Sequence, residues 1–493
     1  MRNNRVIIIG SGLGGLAAGI RLAADGCRVQ IMEKAMEPGG WLRMTRAQGF
    51  RFHNGGAMLT MPHLLEELFS YTGRDLHGYL DWVKLDPIMQ VLSPDSTAFR
   101  LFREPADTVM KNKSFELRDQ QAFNAYTKRS ERILDAVSEQ FFTKPLSERH
   151  LPFQHPFPVR RYNPGRSIVS MIGQRFENET IQRAMAVWPI LCGGDPAEAS
   201  HYYRMIPTAL ERWGAWLPVG GAEALLSALL KLFRECGGEL ITNAEVSAIR
   251  IFNNRANGIR LIDGSIIQAD HVICNAEAGA ACRFLIDSDQ RVYQTVKKAE
   301  KKEPGLSAFI YHIGLNEPPT ENEPLEAFNL LLPRDIPQWE ESLFKNREFP
   351  RESAIMLNIE GKIDPSNVPE GKYGMTAIVP VPNLSSELQW DRDSYRYRSM
   401  ILDQLQSYFE NDLREALVCE QFVSPKMIQS ENGANLGSAW SFSPRKSGKE
   451  LPRLTNYATD IRNLYFVGNG AHPGPFIPAI LKGAELTAAT ITN

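Results

Sequence analysis

The hydrophobic positions of the first 33 residues fall into three blocks of different period. Arg5-Val6-Ile7-Ile8-Ile9 is an apolar, β-branched run and predicts a strand buried on both faces, as in a parallel sheet. Leu16 to Ala24 places apolar residues three and four apart and predicts a helix, which Gly26 ends. Arg28-Val29-Gln30-Ile31-Met32 predicts a second strand, stopping at Glu33. The same alternation returns twice. Ala222 to Cys236 reads as an amphipathic helix closed by Gly237-Gly238, and Glu239 to Thr242 as a strand. Glu245 to Arg250 and Gly258 to Leu261 read as strands of a small antiparallel layer, with Asp263-Gly264 as a hairpin-type turn. Ala269 to Ala276 and Asn463 to Gly468 read as further sheet strands, and Pro478 to Thr492 as a closing helix. After residue 75 the pattern changes to long mixed helices rich in aromatics, and it departs again over 286–444.

The joint between the first strand and helix is Gly10-Ser11-Gly12-Leu13-Gly14-Gly15, a G-x-G-x-x-G. Alone that motif is weak. Here strand, helix, second strand and terminal acid all fall within one βαβ length, which makes it a dinucleotide fingerprint. Gly10 allows the tight turn, Gly12 the approach of a pyrophosphate, and Gly15 the close packing of helix on strand. The helix N-terminus offers free N–H groups and the positive end of its dipole to the phosphates. Glu33 stands where an acid accepts hydrogen bonds from ribose hydroxyls, which fits FAD or NAD and disfavours NADP. Glu37-Pro38-Gly39-Gly40 follows and resembles the second glycine pair of FAD proteins of the glutathione-reductase and amine-oxidase type. The expected fold is α/β: a Rossmann-type FAD-binding domain from 1–75, 220–285 and 445–493, with a discontinuous α+β substrate domain from 76–219 and 286–444.

Composition narrows the class. A chain of 493 residues is too long for one ordinary core. A net charge of −2 suggests no nucleic-acid partner. The six cysteines contain no C-x-x-C and read as reduced intracellular thiols. No apolar run reaches spanning length and no secretory segment precedes the first strand, so a soluble or peripheral protein is expected. No metal-ligand cluster, P-loop or Ser-His-Asp arrangement competes for a catalytic role.

Further motifs carry a resemblance over nearly the whole chain. Gly49-Phe50-Arg51-Phe52, Pro62-His63-Leu64-Leu65-Glu66-Glu67-Leu68-Phe69 and Trp213-Gly214-Ala215-Trp216-Leu217-Pro218-Val219-Gly220-Gly221 join the fingerprint. So does the ending, Asn463-Leu464-Tyr465-Phe466-Val467-Gly468 with His472-Pro473-Gly474 and Ile477-Pro478. Together they resemble the bacterial phytoene desaturases, the carotenoid desaturases of the FAD-dependent amine-oxidase superfamily. The resemblance implies bound FAD, a membrane-surface location on the inner face of the cell membrane, and a polyene or isoprenoid substrate of C30 or C40 length. It implies Gly10, Gly12, Gly14, Gly15, Glu33, Lys34, Gly39, Gly40, Trp41, Val246, Gly468 and Ile477 as cofactor contacts. No Cys or His sits in a flavin-attachment motif, so the FAD is expected to be held without a covalent link.

Three departures mark the reacting end. Phe52-His53-Asn54-Gly55 stands where the family has Phe-Asp-x-Gly. Trp41 replaces a basic residue after the glycine pair. Pro473-Gly474-Pro475-Phe476-Ile477-Pro478-Ala479 puts Phe476 where the family has a glycine, in a loop that by resemblance lies beside the flavin ring. The expected activity is desaturation by hydride transfer to flavin, which supplies chemistry that no side chain can. An FAD enzyme of the same fold doing polyene isomerisation, saturation or reductive cyclisation is the alternative. His53, His472 and Phe476 are the candidate catalytic residues. His53 is open to a flavin-side hydrogen bond or an altered proton path, while His472 fits a structural loop role. His63, His77, His201, His271 and His312 carry no motif and read as ordinary residues. Aromatics, prolines and basic residues alternate from Phe141 through Phe153 and Phe157 to Tyr162. That stretch reads either as a membrane-docking lip or as a connector folded back on the core.

Overall fold

The computed structural model describes residues 3–55, 58–95, 97–141, 167–286, 293–319, 325–443 and 454–492. The 142–162 part of the aromatic and basic stretch, with Phe153 and Phe157, lies outside them.

The apolar runs at the N-terminus build a five-stranded parallel sheet, in the order Leu464–Phe466, His271–Cys274, Arg5–Ile9, Arg28–Met32, Glu239–Ile241. Arg5–Ile9 is central, flanked on both sides, and only Arg5 at its start is exposed. That explains a strand with no polar alternation. The first helix, Leu13–Ala24, is buried from Leu13 to Ala23. It is sandwiched between the sheet and the helices Gly221–Glu235 and Ile477–Thr492. A Cβ at Gly19 would stand 2.9 Å from the Phe233 ring and 3.3 Å from Ile8, so the missing side chain sets the spacing of the layers. The opposite face of the sheet is covered by the three-stranded antiparallel layer Val246–Phe252, Arg255–Leu261 and Ile266–Gln268. Its tight turn is Asn253-Asn254, both at positive φ, and Asp263-Gly264 turns the next pair.

The region after residue 75 differs from the expected run of helices. Short strands Trp82–Leu85, Met89–Leu92 and Ala98–Leu101 precede the long helix Leu117–Phe141. Two of them edge a seven-stranded sheet, ordered Leu417–Val423, Ser307–Leu315, Tyr373–Val381, Ile355–Ile359, Phe328–Leu331, Met89–Leu92, Ala98–Leu101. Met89–Leu92 is buried along its whole length, so its four residues carry no two-residue period to read. Ser307–Leu315 is likewise buried at all nine positions, His312 included. The Trp390–Gln406 helix covers one face of this sheet through Trp390, Tyr397, Ile401 and Leu405. All six cysteines are free thiols.

Candidate active site

The glycine loop is shaped by residues far away in sequence. Gly10 takes φ 95°, a conformation that only glycine adopts without strain. A Cβ at Gly15 would lie 2.3 Å from the Gly10 carbonyl oxygen, so the loop closes only with glycine there. Gly12 caps the first helix without a side-chain bond, and no acid sits in the first turn. Its N–H groups are therefore open to an anion, with no carboxylate in that turn to compete. Asn275, from the end of the neighbouring strand, pins the loop by donating from Nδ2 to the Gly10 carbonyl at 3.2 Å. A Cβ on Gly14 would meet Asn275 Oδ1 at 2.6 Å and the Gly468 nitrogen at 3.0 Å. Gly468 itself has φ 90°.

Glu33 is buried and ends the second strand. Its Oε2 accepts from the Ser11 N–H at 2.9 Å and the Ser11 hydroxyl at 2.6 Å, and its Oε1 from the Ala35 N–H at 2.9 Å. Ser11 Oγ also accepts from the Gly39 N–H at 3.1 Å, so Glu33 joins the first glycine loop to the second glycine pair. Lys34 donates from Nζ to the Ser430 carbonyl at 2.5 Å, tying the nucleotide sheet to the Pro425–Asn432 helix. Val246 is buried at the head of its strand, two residues beyond Ala244, whose N–H donates to the Glu33 carbonyl at 2.8 Å. Sequence reasoning missed Ser11 and Asn275 because neither belongs to the glycine pattern. The polar position inside the loop and the Asn at a strand end were the available signals.

Gly39 and Gly40 turn the chain at φ 119° and 55°, and a Cβ on Gly40 would stand 3.7 Å from the Gly12 Cα. Trp41 follows and packs beside Ala308, Ile310 and Ile378 of the large sheet. Beyond it lies a cavity of about 170 Å³, walled on one side by Gly40, Trp41, Arg43, Thr45 and Asn54. His312, Gln421 and Phe422 of the large sheet wall the other side. The Gly39-Gly40 turn thus meets the seven-stranded sheet at this cavity.

His53 does not face that cavity as a free imidazole. It is buried, and Nδ1 donates to Glu360 Oε2 at 2.6 Å, while the His53 backbone N–H donates to Oε1 at 3.1 Å. Its Nε2 accepts from the Ala222 N–H at 3.3 Å, at the N-terminus of the Gly221–Glu235 helix. Glu360, completely buried, also bonds the Thr376 hydroxyl at 2.6 Å, and that hydroxyl reaches His312 Nδ1 at 3.1 Å. His312 Nε2 meets Asn54 Oδ1 at 3.0 Å. Burial pushes the His312 imidazole down to about 3, with nearby His53 adding to the effect. His312 carried no motif and Glu360 no signal, because the strands that unite them are hundreds of residues from His53.

The C-terminal loop is positioned from both ends. His472 is buried; its N–H donates to the Leu454 carbonyl at 2.8 Å and its carbonyl accepts from Asn456 Nδ2 at 2.7 Å. Phe476 is half exposed, has φ 80°, and its carbonyl accepts the Ile480 N–H as the last helix begins. Ile477 packs against the core below the first helix.

Over residues 13–491 the sequence matches the family of flavin containing amine oxidoreductases. The chain belongs to that family. It is 28% identical to the phytoene desaturase (lycopene-forming) of Pseudescherichia vulneris, over 98% of this chain and 98% of that protein. It is 27% identical to the 4,4'-diapophytoene desaturase (4,4'-diapolycopene-forming) of Methylomonas sp, over 99% and 95%. Putrescine oxidase superposes with a TM-score of 0.65 at 13% identity, covering 99% of this chain and 98% of that one, which speaks for the fold alone. The glycine loop agrees with the family's cofactor: three missing side chains and an uncapped helix leave the space and the N–H donors that the FAD pyrophosphate needs. The chain is an FAD-dependent oxidoreductase of amine-oxidase fold. Among the described residues, no helix is long and apolar enough to cross a membrane.

Proposed function

We propose that this oxidoreductase desaturates a linear apolar polyene of the carotenoid-precursor class. The carrying observation is that similarity to carotenoid and diapocarotenoid desaturases runs end to end, through the cavity-walling sheet as well as the nucleotide loop. We assign the nucleotide domain to 1–75, 220–285 and 445–493 and the substrate domain to 76–219 and 286–444. Gly10, Gly12, Gly14, Gly15, Glu33, Lys34, Gly39, Gly40, Trp41, Val246, Gly468 and Ile477 are the proposed FAD contacts.

Bound FAD supplies a hydride acceptor. Trp41 and Phe422 give the cavity apolar surface against which a hydrocarbon is held and from which water is kept out. His53 serves as a positioning residue, since both ring nitrogens are committed to Glu360 and Ala222. His472 holds the C-terminal loop, and Phe476 sets the space at its tip. The protein works peripherally on the cytoplasmic face of a membrane, docked through the aromatic and basic 141–162 stretch; co-sedimentation with anionic liposomes, weakened by Phe153→Ser or Phe157→Ser, tests that part. A second reading, isomerisation or saturation of the same substrate class, is favoured by Phe476 occupying a glycine-type backbone conformation at φ 80°. Expression in hosts accumulating phytoene or diapophytoene, followed by chromatography, decides. Newly desaturated products support the first reading. Unchanged precursors in both hosts reject it.

A further inference from the structure

Hydrogen bonds around Glu360 do not balance if both histidines are neutral and the carboxyl is ionised. Asn54 fixes one end of the chain. Its Nδ2 donates to the Arg43 carbonyl at 3.2 Å and its Oδ1 accepts from the Thr45 hydroxyl at 2.8 Å, so Oδ1 is the atom facing His312. Turning the amide over would set two acceptors against each other at Arg43. His312 Nε2 therefore carries a hydrogen. His53 fixes the other end, because Nε2 accepts from Ala222 and Nδ1 must donate. Between them the Thr376 hydroxyl has one hydrogen and two neighbours, Glu360 Oε1 and His312 Nδ1, neither of which can donate in that state. One proton is missing. It is accommodated without creating charge if a Glu360 O–H donates to Thr376 and Thr376 donates to His312 Nδ1. Both residues are completely buried, and an uncharged arrangement is the one that burial favours.

We propose that His53, Glu360, Thr376 and His312 form a buried proton store for the reaction cavity, holding one proton on the line from Glu360 to His312 and presenting it through His312 Nε2–H. This rests on the desaturation reading only in taking that cavity as the reacting one. Release is a concerted shift. The Nε2–H bond breaks as a bond forms to the acceptor, which would be the anionic reduced form of FAD held at the cavity, Thr376 passes its proton to Nδ1, and Glu360 passes its proton to Thr376. Three bonds to hydrogen break, three form, and Glu360 is left as a carboxylate. That carboxylate already holds the His53 backbone N–H and Nδ1–H, and the Gly221–Glu235 helix turns its positive end toward His53 from behind. Asn54 Oδ1 keeps its bond from Thr45 after the Nε2 proton leaves, and the two acceptors then facing each other favour the return of a proton. An uncharged donor suits a reaction that moves a hydride, and with it a negative charge, into a dry cavity.

The nearby charges are engaged elsewhere. Asp364 takes the Gly220 N–H, Arg51 pairs with Glu223 at 3.0 Å, and Arg43 pairs with Glu431 at 3.7 Å. Across the sheet, Glu420 bonds Arg398 and Tyr311.

Infrared difference spectroscopy of the FAD-loaded full-length protein, with the flavin photoreduced in the absence of substrate, tests the store whatever the substrate is. The wild type is expected to show a protonated-carboxyl band that bleaches on reduction and is missing in Glu360→Gln. Thr376→Val, which removes the hydroxyl and keeps the volume, should retain the band but stop its bleaching, and Thr376→Ser should restore it. Nitrogen NMR of labelled histidine should show His312 neutral with hydrogen on Nε2 at rest. A wild-type spectrum without that band, or a band that ignores both flavin reduction and Thr376→Val, overturns the proposal. A failed desaturation assay with the band intact would remove the substrate reading and leave the store standing.

Discussion

The nucleotide loop and the cavity wall are built in opposite ways. The loop is made of backbone: four glycines, two of them closed by steric limits of 2.3 and 2.6 Å, and an uncapped helix end. The wall is made of side chains delivered from strands far apart in sequence, and its His312 is backed by Thr376, Glu360 and His53 from three further segments. A backbone site must be written as a local motif, since conformation is a property of consecutive residues. A side-chain site has no such obligation, because only the fold brings its members together. This difference predicts where substitutions are fatal and where they are graded.

The largest effect should fall on the loop. Gly12→Val is expected to purify without flavin, since a branched side chain fills the pyrophosphate's place and already meets Asn275 Nδ2 at 3.0 Å from its first carbon. Flavin absorbance of the purified protein is the check, and full occupancy would mean that the loop is not the cradle.

Glu33→Ala should come next. Glu33 stands where an acid meets ribose hydroxyls, yet its carboxylate also holds the N–H and O–H of Ser11 in the loop and the N–H of Ala35. Leaving buried donors unpaired costs about 1–3 kcal/mol. FAD affinity should fall by about tenfold or more, read by fluorescence titration. Ser11→Ala tests the same bond from the other side and should weaken FAD binding in the same direction.

On the wall side the signature is pH. The imidazole of His312 is held near 3 in the folded protein against about 6.5 in the unfolded chain, so the unfolded state binds the extra proton between those values. Stability is therefore full above about pH 6.5 and is lost as pH falls toward 3, by about 2 kcal/mol between pH 7 and pH 5. Denaturant unfolding at several pH values should show that slope, and His312→Gln should flatten it by the same amount. An equal slope in both proteins would place the titration elsewhere.

The smallest stability effect is expected at Phe476. Glycine relieves a positive φ but frees the unfolded chain, and the two nearly cancel, leaving a change within about 1 kcal/mol. FAD content should be unchanged. Product distribution should move if the proposed placement of this loop at the flavin end is right.

How far the fold was legible follows the same division. The parallel sheet, the helix Gly221–Glu235 and the closing helix came from periodicity, with boundaries shifted by one or two residues. Ser307–Leu315 and Tyr373–Val381 gave no signal: buried on both faces, they lack alternation, and His312 inside such a run looks like any core residue. Met89–Leu92 is too short to show a period. At the site, Glu33 and the glycines were readable, whereas Glu360 and Thr376 acquire a role only through the pairing of Asn358 with Thr376 and of His312 with Thr376 across neighbouring strands.

The most direct test of the account mixes the FAD-loaded protein anaerobically, in liposomes, with phytoene or diapophytoene, while flavin absorbance and extracted pigments are followed together. The account predicts bleaching of the oxidised flavin in step with one new double bond per flavin reduced. A flavin that stays oxidised in the presence of both precursors, with neither precursor changed, would contradict it.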